Sequence, residues 1–386
     1  MKLNRIAKIG IIGTGFIGKG LKEVIKILPD MEVTAILTQR DLNDFSLVGI
    51  YTNSVQKLID RSELIVECNG DPIYATEVIC QVLDAGVPVV TMDAELHITS
   101  GTYLSKRGLI TEAEGDQPGA LAAFHNELVS IGFRPLVYGN LKGFLNLNPT
   151  REEMLNWAKK QGISLKEVIG ATDGTKIQVE QAFVANGLGA VIARQGLYGY
   201  ECEDLNADAS RLAMRAREIN QPISDYLLKG PNIKGAFPKG VFITAEYDSS
   251  QSAALEYFKL GEGPYYTLIK NHYLCHLEIP RTIRQVLQEG RVLLDNGQSP
   301  TASVCAIAKS SLEPGTALSS RNRAFHVRGE ALSIKDNPNH VPIGLMNDVV
   351  IKRKIEPGQL IEFDDVEIPD SKAFTAYKYM LDVTLK

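Results

Sequence analysis

The chain has 386 residues, a formal net charge of −5, 44% hydrophobic and 23% charged residues, the balance of a soluble globular protein of two or three domains. That charge leaves no global basic footprint for nucleic acid or an anionic membrane, and no apolar stretch reaches membrane-spanning length. Five scattered cysteines without a Cys-x-x-Cys indicate neither a zinc ribbon nor a disulfide framework. Met1 runs straight towards the first strand with no room for a signal peptide, so the expected compartment is the reducing cytoplasm.

The apolar run Ile6 to Ile12 predicts a buried parallel strand. It is followed at once by Gly13-Thr-Gly15-Phe16-Ile17-Gly18 and by a helical face of Ile17, Leu21, Val24, Ile25 and Leu28. A Gly-x-Gly-x-x-Gly between strand and helix suits a dinucleotide: a tight turn, close approach of backbone to pyrophosphate, and close helix–strand packing. The helix N-terminus adds free N–H groups and a partial positive charge. Gly13, Gly15, Phe16, Ile17 and Gly18 are therefore the expected cofactor contacts. The alternative is a flavodoxin-like fold whose glycines only turn the chain.

Met31 to Leu37 reads as the second strand. An NAD enzyme usually has an acidic residue about 20 positions beyond the glycines, on the ribose 2′-hydroxyl. Here the segment is Thr38-Gln39-Arg40, with no carboxylate before Asp41. Arg40 is expected to pair with a 2′-phosphate, so NADP is the expected cofactor, with NAD left open.

A short helix (Ser54 to Asp60), a strand (Leu64 to Cys68), a helix to Ala85 and a strand (Val87 to Thr91) continue the alternation that predicts a doubly wound sheet. Ligands sit beyond the carboxyl ends of such strands, which places Asn69, Gly70 and Asp93 near the cofactor by topology alone. A helix over Gly119 to Ile131 and a strand over Arg134 to Tyr138 follow.

The pattern changes at Gly139-Asn-Leu-Lys142-Gly143, a glycine-flanked lysine. Thr172 or Asp173 is the expected N-cap of a helix running to about Asn186. On that helix Lys176 and Glu180 lie one turn apart, and spacing alone makes them an ordinary helix salt bridge. A polar face with a short basic helix covers Tyr198 to Asn220, and a Gly/Pro loop carries Lys234 and Lys239. Strands are expected over Val241 to Tyr247 and Tyr265 to Ile269. Lys270 to Glu278 opens a further helix; His272 and His276 lack a third ligand at zinc spacing. Finally, Glu313-Pro314-Gly315 is echoed by Glu356-Pro357-Gly358, turns that suit short strands and a separate β-rich appendage from about residue 300.

End to end, the chain resembles the homoserine-dehydrogenase-like NAD(P) oxidoreductases that carry a C-terminal SAF domain. That group includes 1-deoxy-D-xylulose 5-phosphate reductoisomerase-like enzymes and D-apionate oxidoisomerases. The matching segments are Gly13 to Gly18, Gly115-Asp-Gln-Pro118, Gly139 to Asn146, Asp173-Gly-Thr-Lys176 with Glu180 and Asn186, Leu274-Cys-His-Leu-Glu278, and the two Glu-Pro-Gly turns. The chain departs from homoserine dehydrogenases at Thr91-Met-Asp93-Ala94-Glu95, where their Thr-Ala-Asn-Lys lysine is absent. It departs again at Lys270-Asn-His-Tyr273, where the family often has Arg-Pro-Tyr-His; lysine is a point charge rather than a guanidinium fork.

The resemblance implies an α/β chain in three parts: a Rossmann doubly wound parallel sheet over 1–138, a second α+β domain for substrate, catalysis and oligomerisation over 139–297, and a small all-β SAF-like module over 298–386. It makes Lys142 and Lys176 substrate ligands that stabilise a developing alkoxide, with Asp173 or Glu180 orienting a lysine or acting as base. Lys234, Lys239 and Lys270 are weaker anion-binding candidates. No protein metal site is expected, while a substrate-bridging Mg²⁺ stays open. The implied activity is NADPH-dependent oxidoreduction of a small anionic hydroxy-ketone by a homo-oligomeric reductoisomerase. The alternatives are a homoserine dehydrogenase-type oxidoreductase and a non-catalytic NADPH-responsive sensor.

Overall fold

The computed structural model describes residues 3–44, 49–235, 237–320 and 322–386; Met1 and Lys2, from which the N-terminal run was read, lie outside them. The first sheet holds β1 (Ala7–Ile12), β2 (Met31–Leu37), β3 (Tyr51–Thr52), β4 (Leu64–Glu67), β5 (Val89–Thr91) and β6 (Ile110–Glu112), in the order β3-β2-β1-β4-β5-β6. Every pairing is parallel. Ile9, Ile11 and Ile12 of β1 are fully buried, as a parallel sheet covered on both faces requires. The strand order reverses between β1 and β4, and that switch point opens a crevice beyond their carboxyl ends.

The second sheet holds β7 (Arg134–Lys142), β8 (Tyr200–Cys202), β9 (Ile223–Lys229), β10 (Val241–Glu246) and β11 (Tyr266–Lys270), in the order β11-β10-β7-β9-β8. The expected strand at Arg134 to Tyr138 continues to Lys142 as the centre of this sheet. Gly139 does not break it. The residue pairs with Phe242 across the ladder, and a Cβ there would meet the Phe242 ring at 2.0 Å. The glycine makes room for an aromatic ring, and Lys142 stands at a strand end rather than in a loop.

The helix Thr175–Leu188 lies at the middle of the chain's packing, with every residue from Ile177 to Ala185 buried. Strands β12 (Ala302–Ala308) and β14 (Val327–Ser333) pair antiparallel, and Ala302, Val304 and Ala331 share one core cluster with Ile177, Phe183 and Val184. Polar bonds fix the same contact: Gly329 N donates to Thr175 Oγ1 at 2.9 Å and Ala331 N to Gln178 Oε1 at 2.8 Å. The C-terminal segment therefore shares the core of the preceding one.

Three further strands, β13 (Ala317–Leu318), β15 (Val349–Ile351) and β16 (Val366–Glu367), complete this region. The two Glu-Pro-Gly turns lie against each other, with Leu312 and Ile355 exchanging backbone bonds of 2.9 and 3.0 Å. The segment is not all-β as expected. It ends in a helix, Lys372–Thr384, capped by Ser371 and tied to the helix Pro72–Asp84 of the first sheet by Lys372 N on Glu77 Oε1 at 3.0 Å. Ala373, Tyr377 and Met380 supply its buried face.

Asp173 also differs from expectation. It closes the helix Leu165–Thr172, and Gly174, with φ +86°, is the N-cap of the next. Its carboxylate forms an ion pair with Lys309 in which both side chains are almost wholly buried, and Lys309 also donates to Ala324 O. Removing one partner of such a pair leaves an uncompensated buried charge. Asp173→Ala should lower unfolding stability by about 3–5 kcal/mol, measured by denaturant titration. Joint replacement by Asp173→Leu and Lys309→Met should restore most of it. A stability loss below about 1 kcal/mol would contradict the structural role.

Candidate active site

The glycine loop forms a cradle. Gly13 has φ +109°, and a Cβ there would strike Cys68 O at 2.7 Å, so β1 can turn into the helix Phe16–Lys26 only with glycine. A Cβ on Gly15 would meet nothing within 4 Å; its backbone faces open space, the side from which a pyrophosphate approaches. Gly13, Thr14, Gly18, Lys19, Lys22, Ile36, Arg40 and Tyr51 line a cavity of about 220 Å³. This geometry fits a dinucleotide held at a helix N-terminus. Ile17 packs into the core of the first sheet instead of facing the cavity.

Among the described residues no carboxylate lines that cavity. Arg40 N is held by Thr38 Oγ1 at 3.2 Å, and the Asn53 amide bonds the carbonyls of Thr38 and Arg40. Lys22 lines the same cavity, with Nζ 3.3 Å from the Tyr51 hydroxyl. Lys19, Lys22 and Tyr51 were not singled out from the sequence; their helical spacing places both lysines on the side facing the end of β2.

Beyond β4 and β5 the expected neighbours are placed as follows. Asn69 N donates to Glu67 Oε1 at 2.6 Å, and Gly70 has φ +71°. Asp93 turns into the protein and caps the helix starting at Ala94, accepting from Leu96 N at 3.1 Å. Burial raises it to about 6 and raises Glu67 to about 8. Asp93 thus caps this helix through Oδ1, and its buried Oδ2 has no hydrogen-bond partner among the described residues. Deeper still, His97 Nε2 lies 3.4 Å from Glu112 Oε2 with neither side chain exposed. Burial depresses His97 to about 3 and pushes Glu112 well above the carboxylate range, favouring the neutral form of each.

The structure brings Lys142, Lys176 and Glu180 together. Lys176 Nζ is 3.4 Å from Glu180 Oε1; the Lys176 side chain is 53% exposed and that of Glu180 only 3%. Asn140 Nδ2 donates to Glu180 Oε2 at 3.2 Å. Lys142, from the same strand, donates to Ala171 O at 2.7 Å. Burial raises Glu180 to about 7 against the pull of Lys176. The Glu180 carboxylate in turn raises Lys176, and burial lowers Lys142. Asp173 pairs with Lys309 through Oδ2, accepts from Thr175 N through Oδ1 at 2.9 Å, and lies within electrostatic reach of Lys142.

The turn Cys275–Leu277 connects this cluster to the cradle. Cys275 N donates to Gly115 O at 2.7 Å. Gly115 has φ +137°, and a Cβ there would meet Cys275 O at 2.3 Å, which is why only glycine precedes Asp116. On its other side His276 covers Gly20 and meets Phe16 edge-on, with ring centroids 5.6 Å apart. Phe16 therefore touches this turn. Tyr273, Cys275 and Asp116 lie within electrostatic reach of Lys176, so the turn and the Gly115–Asp116 segment flank the ammonium.

Lys270 is bound to Glu114 Oε1 at 2.8 Å, and Arg281 reaches the same oxygen at 2.7 Å. Arg281, in the first turn of the helix Ile279–Glu289, thus brings a guanidinium to the same carboxylate as Lys270. Lys234 and Lys239 are exposed on their loop. Among the described residues no group of three or more His, Cys, Asp or Glu could hold a metal, and no helix is long and apolar enough to cross a membrane.

Residues 115–279, less than half of the chain, match the family described as oxidoreductase DRL, catalytic domain. No curated protein sequence matches the chain. Among solved structures, a probable dehydrogenase from Thermotoga maritima is 11% identical, with 74% of this chain and 90% of that one covered at a TM-score of 0.44. The NAD-binding protein from Listeria innocua is 10% identical over 75% and 89% of the two chains, at 0.36. Homoserine dehydrogenase from Staphylococcus aureus is 18% identical over 47% and 50%, at 0.31. These likenesses are too distant to carry chemistry. The matched catalytic segment, seated beside the glycine cradle, makes the chain an NAD(P)-dependent oxidoreductase.

Proposed function

We propose that the chain reduces a small anionic hydroxy-ketone with NADPH, as a reductoisomerase that rearranges the carbon skeleton before reduction. The observation that carries this reading is the half-exposed ammonium of Lys176 standing beside the buried carboxyl of Glu180. When bound, the nicotinamide supplies hydride; the protein supplies position and electrostatics.

Lys176 is placed to donate to the substrate carbonyl oxygen and to hold the negative charge that grows there. Glu180, raised to about 7, is matched to exchanging a proton near neutral pH. It would accept the hydroxyl proton as the carbon–carbon bond breaks, whose electrons pass into an enolate. Lys142 offers a second cation for the enolate oxygen. The enolate then attacks the aldehyde fragment through its other carbon, Glu180 returns the proton to the new alkoxide, and the former carbinol carbon, now the carbonyl, is the one reduced. Asn140 orients Glu180 throughout. The paired Glu-Pro-Gly turns support the SAF-like reading of the C-terminal segment. Ala94, where homoserine dehydrogenases carry lysine, is buried in the core and disfavours plain homoserine oxidation.

The rim of Arg40, Lys19 and Lys22 without a carboxylate supports NADP over NAD, because guanidinium and ammonium suit a 2′-phosphate. NADPH should bind more tightly than NADH, and Arg40→Ala should weaken NADPH by about tenfold, the loss of one charge-assisted contact, while leaving NADH unchanged. A tighter NADH constant in the wild-type chain would overturn the preference.

Lys176→Met should lower kcat by about 100- to 1000-fold, the scale of a lost oxyanion donor, with the NADPH dissociation constant unchanged. NADPH oxidation across a panel of phosphosugars and hydroxy-ketones, with homoserine and NADP as the converse assay, reads both. Full turnover by the variant removes Lys176 from the mechanism, and activity on homoserine alone removes the ketone reading.

Glu180 as base works in its ionised form, so kcat should rise with pH through about 7, following the fraction deprotonated. Glu180→Gln should abolish that limb together with most of the activity. An unchanged limb in the variant would assign it to another group.

A further inference from the structure

In a doubly wound dinucleotide fold the loops after β4 and β5 serve the half of the sheet opposite the adenosine side. Here those two loops are tied to distant parts of the chain through one line of charge. Glu95, two residues after Asp93, takes Arg323 Nη2 on Oε1 at 2.8 Å, while its Oε2 lies 3.4 Å from Lys166 Nζ. Lys166 Nζ goes on to donate to Gly70 O at 2.7 Å. At the other end Arg323 donates to Ile343 O. The Arg323 side chain is 5% exposed, Glu95 15% and Lys166 32%. Residues from the first sheet, from the helix Leu165–Thr172 and from the C-terminal segment thus meet at the carbonyl of one loop glycine.

No neighbour crowds that glycine: a Cβ on Gly70 would meet nothing within 4 Å, and its φ is +71°. The residue after it, Asp71, is anchored as the cap of the helix Pro72–Asp84. The backbone around it is fixed by Asn69 N on Glu67 on one side and by the Lys166 ammonium on the other. An ammonium on a carbonyl is a directional, charge-assisted bond. Its placement depends in turn on Glu95, which Arg323 holds from a segment more than two hundred residues away in sequence.

We propose that Arg323, Glu95 and Lys166 form a positioning relay that sets the loop Asn69–Asp71 against the nicotinamide half of the cofactor, so that docking of the C-terminal segment is needed for full cofactor affinity. The proposal rests on the dinucleotide reading of the glycine cradle. It assigns the C-terminal segment a role at the cofactor that the catalytic cluster does not give it. It also separates the two halves of the cofactor: the adenosine half meets the rim at Arg40 and Lys22, which the relay does not touch.

The test uses the full chain and its Lys166→Met, Lys166→Arg and Arg323→Met variants. Dissociation constants are measured for NADPH and for adenosine diphosphate carrying the 2′-phosphate, which lacks the nicotinamide half, alongside melting temperatures. Lys166→Met should weaken NADPH by about tenfold, the loss of one charge-assisted bond, leave the fragment unchanged, and be rescued by Lys166→Arg. Arg323→Met should act in the same direction. Equal weakening of NADPH and fragment, or unchanged NADPH affinity in Lys166→Met at an unchanged melting temperature, would overturn the relay. A wild-type chain that binds neither compound would overturn the dinucleotide reading itself, an outcome distinct from both.

Discussion

A helix buried from Ile177 to Ala185 needs partners for the polar side chains it carries there, and the helix Thr175–Leu188 finds them largely by bonding to the layers around it. Gln181 Nε2 reaches the carbonyls of Tyr138 and Asp225 in the second sheet. Gln178 joins Gly196 O and Ala331 N, and Asn186 holds the backbone at Thr301 and Ala302. Buried amides that bond backbone in this way specify one arrangement, because any slip leaves several unpaired groups in a low-dielectric interior. The first two turns of this helix carry Lys176 and Glu180. The geometry of the site is thereby inherited from the most constrained element of the fold.

The same burial sorts the acids of the interior by partner. Glu67, Asp93 and Glu112 cluster at the carboxyl ends of the first-sheet strands, and desolvation raises all three. Glu95, equally hemmed in, is held down to about 2 because Lys166 and Arg323 face it. Glu180 falls between these cases: burial outweighs Lys176 and leaves it near 7. Desolvation disfavours the charged form and a nearby cation favours it, so a carboxyl poised at neutral pH needs both in rough balance. Among these acids Glu180 combines that balance with an exposed cationic neighbour.

Local patterns in the sequence were legible where the physics is local. The glycine loop, the strand–helix alternation and the one-turn spacing of Lys176 and Glu180 all express short-range geometry, and each appears in the structure. The pairing of Asp173 with Lys309 is not legible locally because the two lie 136 positions apart, whereas the bond from Thr175 N to its Oδ1 is a local feature. Gly139 suggested a break because the ring that fills its space, Phe242, belongs to another strand. The strand Ile223–Lys229 and the final helix went unread for a related reason: they are fixed by what they pack against. Arg281 and Lys22 reach the site from helices whose periodicity announces only a buried face, leaving the direction of their polar ends open.

The central claim is that Lys176 stands where hydride arrives on a substrate carbonyl. The most direct measurement is deuterium transfer: NADPH labelled at the transferring position, incubated with ketose phosphates, and the product analysed by mass spectrometry. The account predicts one deuterium on the reduced carbon with the wild-type chain, and an initial rate of labelling about 100- to 1000-fold lower with Lys176→Met despite intact cofactor binding. Equal labelling by both proteins, or tight NADPH binding with no transfer to any substrate by the wild-type chain, would contradict it.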